Sequence, residues 1–455
     1  MTRRLGRRKF LGYGSAAAGI SLFLKACTAS DTSSAPEAST PNQAEALPEA
    51  PADPDAPVKV GLLHSLSGLM AISEIAVMDA ELFAIDQINA AGGVLGRQIE
   101  AVVEDGASDW PTFAEKAEKL IDQDKVSAFF GGWSAGSRRA MLPVLKASQH
   151  LLWYPLSQAG QDCSQHIIYG GAAPNQQIEP AVDWLLENTG KQVFLLESQA
   201  EAPELSIKAL LNAQLKAQGG NLVGATSLRL SQRDFSASLT KIKETLPEGG
   251  IIFNRLNGDS NLGFFKQLKA SGMKPDQYPV MSVTISEEEI RQIGPAYLAG
   301  HYAAWSYFQT IETEANTAWV ADFKEAYGEA QVTSDPMAAA YTLVYLWKQA
   351  VEQARSFEIP AVRAAAYGQT FESPGGTVTL QPNHHLSKLV RVGKVREDGL
   401  FEIVWSSDQP LEPQAWSQYV PETKGFACDW SDVEKGGKYQ DESLSSRYRR
   451  ASRVG

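Results

Sequence analysis

The stretch Gly132-Trp133-Ser134-Ala135-Gly136 sets a serine hydroxyl in G-x-S-x-G spacing. That spacing marks a nucleophile elbow, where a strand turns sharply into a helix and exposes the hydroxyl. The local pattern fits, because an apolar run at 128–131 predicts a strand and 138–146 predicts a helix. A hydrolase would further need an oxyanion loop, an acid and a general-base histidine. No His-Gly-Gly-Gly-type stretch is present, and nothing singles out His301, His384 or His385 for the base. Three fixed positions in five say little in a chain with 37 glycines, so catalysis by Ser134 is the weaker reading. The same turn serves binding. A helix N-terminus offers free N–H groups, Ser134 adds a hydroxyl, and Trp133 adds a flat apolar wall for a small polar ligand. A purely structural use, with Ser134 as helix cap and Trp133 as core, stays open.

Other candidates sit where predicted strands end. Trp153-Tyr154-Pro155 closes one strand, so Tyr154 and Pro155 are expected at the ligand edge of an open α/β sheet. In the second half, 254–261 reads Asn-Arg-Leu-Asn-Gly-Asp-Ser-Asn. There Asn257 offers an amide and Asp259 a carboxylate for ligand N–H groups, with an Asx-type cap as the alternative. Thr284 places a hydroxyl after the next strand. The acidic loop Glu104, Asp105 and Asp109 and the pair His384-His385 lack a metal-ligand spacing. No phosphate-binding loop or dinucleotide fingerprint appears, so neither a cofactor nor a metal is expected.

The elements that must position these residues alternate. Apolar runs predicting strands fall at 58–63, 99–104, 128–131, 151–154 and 167–169, then at 193–196, 222–228, 251–254 and 280–283. Helical spacing fills the gaps, for example Met78, Leu82, Ile85 and Ile88, which stop at Gly92-Gly93. Two long helices follow at 315–327 and 337–354, and the character then turns to strands at 376–380, 389–395 and 401–405. Such alternation predicts mostly parallel sheets with helices on both faces, in two similar units without a clear internal repeat.

Hydrophobic residues make up 44% and charged residues 21% of 455, and the net charge is −12. That supports globular cores and argues against a nucleic-acid partner, which would need a basic face. The first 26 residues carry Arg3, Arg4, Arg7, Arg8, Lys9 and Lys25, with an apolar run at 10–24 too short to span a membrane. Arg7-Arg8-Lys9-Phe10-Leu11 looks like a twin-arginine export signal. Leu24-Lys25-Ala26-Cys27 looks like a lipoprotein cleavage box with Cys27 as the lipidated residue. A plain signal peptide with a chance cysteine is the alternative. Residues 27–57 are rich in Ala, Pro, Ser, Glu and Asp and read as a flexible tether. The tail from 431 reads as disordered. Export to an oxidising compartment allows Cys163 and Cys428 to bridge, and two buried free thiols would fit the sequence equally.

Longer stretches carry a family resemblance. They are Ile85-Asp86-Gln87-Ile88-Asn89-Ala90-Ala91-Gly92-Gly93-Val94-Leu95-Gly96, Val103 to Pro111, Gly171-Ala172-Ala173-Pro174-Asn175-Gln176-Gln177, Leu256 to Asn261, Asn383 to Lys388, and Cys428-Asp429-Trp430. From about 58 to 430 the chain resembles the urea- and short-amide-binding lipoproteins of ABC transporters, within the branched-chain amino-acid-binding superfamily. The resemblance implies a two-lobed α/β type I periplasmic binding protein fold with three hinge crossovers. Lobe 1 is expected at 58–174 plus 303–385, and lobe 2 at 175–302 plus 386–430. It implies capture of urea or a short amide by lobe closure, delivery to ABC permease subunits, and a periplasmic or cell-surface location anchored at Cys27. A different ligand (an amino acid or a guanidinium compound) and an envelope sensor are the alternatives. Three departures bear on the pocket. Ala135 follows Ser134 where relatives carry adjacent hydroxyls. Leu156-Ser157-Gln158-Ala159-Gly160 replaces a stretch with Tyr and Glu, and 197–203 lacks the usual aromatic residues.

Overall fold

The computed structural model describes residues 56–158, 161–199, 206–432, 435 and 437–441. The expected signal peptide, the lipidation residue Cys27, nearly all of the tether, and positions 159, 160 and 200–205 lie outside the described residues.

Five strands, β1 (Val58–His64), β2 (Ile99–Asp105), β3 (Ala128–Gly131), β4 (Leu152–Tyr154) and β5 (Ile167–Tyr169), form a parallel sheet in the order β2-β1-β3-β4-β5. Helices α1 (Ala71–Ala90), α2 (Trp110–Glu118) and α3 (Ala135–Ala147) connect them. Strand residues alternate between two cores. Val58, Val60 and Leu62 pack on one face, while Leu63, Phe129 and Leu152 pack on the other. Both faces are covered, which is why these strands read as continuous apolar runs.

The second sheet holds β6 (Gln192–Ser198), β7 (Asn221–Leu228), β8 (Ile251–Arg255), β9 (Val280–Ser282) and β10 (Tyr302–Trp305) in parallel. Helices α4 (Ile178–Asn188), α5 (Lys208–Ala217), α6 (Ser236–Thr245), α7 (Ser260–Ala270) and α8 (Glu287–Ile293) flank it. Phe194 and Leu196 face one core, and Val193 and Leu195 the other.

The chain then returns to the first lobe through α9 (Glu314–Tyr327), α10 (Asp335–Ala354) and α11 (Ile359–Ala366). There, α10 packs along α1 and into the core over the first sheet. A three-stranded sheet follows, made of β11 (Thr370–Ser373), β12 (Gly376–Leu380) and β13 (Leu386–Ser387). Strand β14 (Arg391–Val395) then extends the second sheet antiparallel to β10, and β15 (Phe401–Ser406) follows at the edge antiparallel to β14. A final pair, β16 (Phe426–Asp429) and β17 (Gly437–Gln440), closes the described chain.

Two expected boundaries move. The division at 302/303 falls inside β10, which pairs with β9 and β14, so the return crossover starts only after Trp305. The division at 385/386 falls before β13, whose Leu386 packs with the first lobe, so the third crossover lies between β13 and β14. The expectation of a structureless tail fails at Gly437–Gln440, because those residues pair with Phe426–Asp429. Among the described residues no helix is long and apolar enough to cross a membrane.

Three crossovers thus join the lobes: after β5, after β10 and after β13. A buried polar cluster ties them together. The Asp335 carboxylate accepts the Ser306 and Tyr307 N–H groups at 2.9 Å each. Lys388 donates to the Gly170 carbonyl, and Arg391 donates to the carbonyls of Ser306 and Gly375. Gly171 is crossed closely, since a Cβ there would meet the Leu156 carbonyl carbon at 1.9 Å.

Candidate functional site

Both sheets turn the C-terminal ends of their strands toward one cavity of about 460 Å³. That edge is where open α/β sheets bind ligands, because loops and helix N-termini converge there.

The first-lobe wall starts at the β3 end. Gly131 and Gly132 take φ of 131° and 78°, and a Cβ on Gly131 would lie 2.0 Å from the Leu63 carbonyl oxygen. Only glycine fits such a turn. It delivers Trp133 and Ser134 to the cavity. Ser134 caps α3, its Oγ accepting the Ser137 N–H at 2.9 Å. One helical turn on, Arg138 lines the same wall with 1% of its surface exposed. Its guanidinium carbon sits 4.9 Å from the Tyr154 ring centre and 5.7 Å from that of Tyr169. Asp162 approaches one terminal nitrogen at 3.4 Å. Trp110 and Met70 complete this side.

The second-lobe wall is polar and cationic. Asn254 is buried and holds the loop after β8, its Nδ2 donating to Asn261 Oδ1 at 3.0 Å and its Oδ1 accepting from the Leu256 N–H at 3.1 Å. That loop presents Arg255 and Asn257. Asn257 is steadied by Ser198, whose Oγ accepts its N–H at 2.9 Å. Thr284 follows β9 and donates to the Leu256 carbonyl at 2.6 Å. Arg229 follows β7, and Trp305 ends β10 with its Nε1 donating to the Ile285 carbonyl at 2.6 Å.

The lobes touch at the lip. The Asp259 N–H donates to the Leu69 carbonyl at 3.2 Å, and Gln292 Nε2 donates to the Ile72 carbonyl at 2.9 Å. The cavity is therefore held between closed lobes.

Of the sequence candidates, Trp133, Ser134, Asn257 and Thr284 line the cavity. Tyr154, Pro155 and Asp259 do not. Tyr154 is fully buried behind the wall, and its hydroxyl donates to the Trp133 carbonyl at 2.5 Å. Pro155 is buried beside it. The Asp259 side chain lies outside, 3.8 Å from Arg233, so its carboxylate does not meet a ligand in the cavity. The residues that sequence reading missed are Arg138, Arg229, Arg255, Trp110 and Trp305. Arg255 stood within a quoted strand-end stretch and could have been found there.

No hydrolytic triad forms. Ser134 Oγ is engaged with Ser137, and all six histidines are tied up elsewhere. His64 pairs with Glu81 at 2.9 Å, and His150 and His166 bond backbone carbonyls. His301 accepts the Val280 N–H. His384 meets the Tyr367 hydroxyl, and His385 stacks on Tyr169. Burial pushes His384 down to about 3 and His385 to about 4, so both stay neutral. Among the described residues no group of His, Cys, Asp and Glu could hold a metal ion. Cys163 and Cys428 are joined by a disulfide that fastens the β16 segment to the loop carrying Asp162.

Comparison with known proteins adds the lineage. A model described as "Periplasmic binding protein domain" matches residues 58–422. Leu/Ile/Val-binding protein homolog 6 of Brucella melitensis is 22% identical over 357 residues, covering 76% of this chain and 89% of that protein. A solute-binding protein of an ABC transporter from R. palustris, solved with 4-hydroxybenzoate, has a TM-score of 0.70 at 22% identity, covering 78% of this chain and 98% of that one. A branched-chain amino acid transporter substrate-binding protein from Streptococcus pneumoniae, solved with isoleucine, has a TM-score of 0.67 at 21% identity and covers 78% of this chain and 100% of that one. A protein named limonene hydroxylase from Geobacillus stearothermophilus is 37% identical over 152 residues, which is 33% of this chain and 27% of that protein. So short a match carries no activity across.

Proposed function

The chain belongs to the periplasmic binding protein domain family, and from that premise we propose that it captures a small solute between its lobes for an ABC importer. It is a binding protein and not an enzyme. The observation that carries this reading is the cavity itself, lined from strand ends of both sheets and closed by hydrogen bonds at the lip. Lobe closure needs only that the ligand contacts both walls, so that it stabilises the closed state more than the open one.

Urea or a short amide is the ligand that the sequence resemblance implies. Ser134, Asn257 and Thr284 supply groups of the right kind. The volume favours something larger, because about 460 Å³ is in the range that holds a molecule of many heavy atoms. A solute the size of isoleucine or 4-hydroxybenzoate, which two structural relatives carry, fills it better than urea. Isothermal titration of the purified chain with urea, acetamide, isoleucine and 4-hydroxybenzoate separates the readings. Binding of the larger solutes alone is the expected result. Heat from urea alone would return the assignment to the amide class, and no binding by any of the four would count against solute capture.

Family membership implies export, and we read Cys27 as the membrane anchor that keeps the protein near its permease. Cys27→Ser is expected to move the protein from the detergent phase to the aqueous phase in detergent partitioning; an unchanged partition would remove the anchor.

A further inference from the structure

We propose that residues 407–430 form a strap, fastened to both lobes beside the hinge and covalently to the first through Cys163–Cys428, that limits how far the lobes open. This rests on the solute-capture reading, because it concerns the lobe movement that reading requires.

The strap starts where β15 ends. The Ser407 N–H donates to the Val390 carbonyl at 2.8 Å, and Ser407 Oγ accepts the Val390 N–H at 3.1 Å. Leu411 then pairs with Lys388, its N–H donating to the Lys388 carbonyl at 2.8 Å. These bonds lay the segment along the third crossover. The first crossover holds it too. Gln176 Nε2 donates to the Leu411 carbonyl at 2.8 Å. Asn175 donates to the Glu412 carbonyl and accepts the Gln414 N–H, at 2.8 Å each. The segment is thus a fourth connection that runs beside two of the three crossovers.

Farther on, its anchors divide between the lobes. On the first lobe, Gln158 Nε2 donates to the Ala415 carbonyl at 3.2 Å. Gln161 Oε1 accepts the Ser417 N–H at 3.1 Å and the Thr423 hydroxyl at 3.0 Å. Ala415, Trp416 and Cys428 form a small buried cluster with Cys163, and the disulfide closes it. On the second lobe, Val420 is buried in the core built by Ile178 and Val182 of α4 and Leu211 of α5. Gln218, at the end of α5, donates from Nε2 to the Tyr419 hydroxyl at 2.9 Å.

The spacing of these anchors limits movement. Val420 follows Ser417 by three residues. Three residues reach about 11 Å at full stretch. A lobe rotation that carries Gln161 away from α4 and α5 beyond that reach must detach one anchor. The disulfide keeps the first-lobe end fastened when the hydrogen bonds there exchange with water, a trade of small net cost.

Hydrogen–deuterium exchange of the unliganded chain tests this at the lip. The Asp259 N–H bonds the Leu69 carbonyl across the lobes, so its exchange reports the parting of the lips. Two double variants each free one end of the strap. Cys163→Ser with Cys428→Ser releases the first-lobe end, and Tyr419→Phe with Val420→Ser releases the second-lobe end. In both, exchange in peptide 256–262 is expected to be several-fold faster than in wild type, while strand peptides 58–64 and 251–255 keep wild-type rates. The second pair keeps the test valid if the first does not fold. Wild-type exchange at 256–262 in a folded variant whose strap peptide 411–420 exchanges faster overturns the inference. Equal acceleration of the strand peptides and of 256–262 also overturns it, because the strap would then serve general stability alone. No solute enters the experiment, so a failure of solute capture, read by calorimetry, is told apart from a failure of the strap.

Discussion

Two buried sets of cations lie in this molecule, and they are treated differently. At the hinge, Lys388 and Arg391 spend their donors on the carbonyls of Gly170, Ser306 and Gly375, and Asp335 gathers the N–H groups of Ser306 and Tyr307. Each of these charges is satisfied by a chain segment that crosses between lobes. In the cleft, Arg138 is as deeply buried, yet two of its nitrogens bond nothing among the described residues. The first arrangement builds the hinge. The second rests on an ion pair with Asp162 at 3.4 Å and on the rings of Tyr154 and Tyr169. A buried charge is thus informative through what its hydrogen bonds reach, and burial alone does not separate structure from function.

That contrast can be broken by substitution. Asp335→Ala removes the acceptor of two N–H groups and the charge facing Lys388, so a loss of about 3–5 kcal/mol is expected. Arg138→Met removes a half-satisfied charge and leaves Asp162, which solvent partly reaches, without its ion-pair partner, so a loss well below that of Asp335→Ala is expected. Chemical denaturation of both variants checks this, and equal destabilisation would erase the distinction. The disulfide comes next. It spans 265 residues and fixes the loop that carries Asp162, and Cys163→Ser is expected to cost about 2–4 kcal/mol in the same assay.

A smaller effect sharpens the hinge side. Burial pushes Lys388 from 10.5 down to about 8, with attraction to Asp335 offsetting part of the shift. Between those values the unfolded chain binds more protons than the folded one, so this residue makes stability rise with pH from about 8 to 10.5. Taking the difference between wild type and Lys388→Met removes other groups that titrate in that window. The rise should vanish in the variant, and a slope identical in both would contradict it. The smallest effect is at the cap: Ser134→Ala should cost about 1 kcal/mol of stability, read by thermal unfolding, through the lost bond to Ser137.

The scaffold was legible because both faces of each sheet are covered, which writes strands as apolar runs such as 58–63 and 251–254. Trp133, Ser134, Asn257 and Thr284 were legible because cavity residues follow directly on those strands. Arg138 was not, since a residue one turn into a helix faces the cleft or solvent according to how that helix lies on the sheet. Trp305 was missed with its strand, whose four residues Tyr302–Trp305 are too few to show a period. Tyr154 was placed wrongly because strand residues alternate, and its side chain passes under α3 to the Trp133 carbonyl. Asp259 went wrong at a turn, where the backbone reaches the lip and the carboxylate points away.

The most direct test of capture by closure is small-angle X-ray scattering of the purified chain, with and without a saturating amount of whichever solute binds tightest in the proposed titration. Closure around a ligand that contacts both walls predicts a smaller radius of gyration in the bound state. Calorimetric binding with an unchanged radius of gyration in the wild type would contradict it.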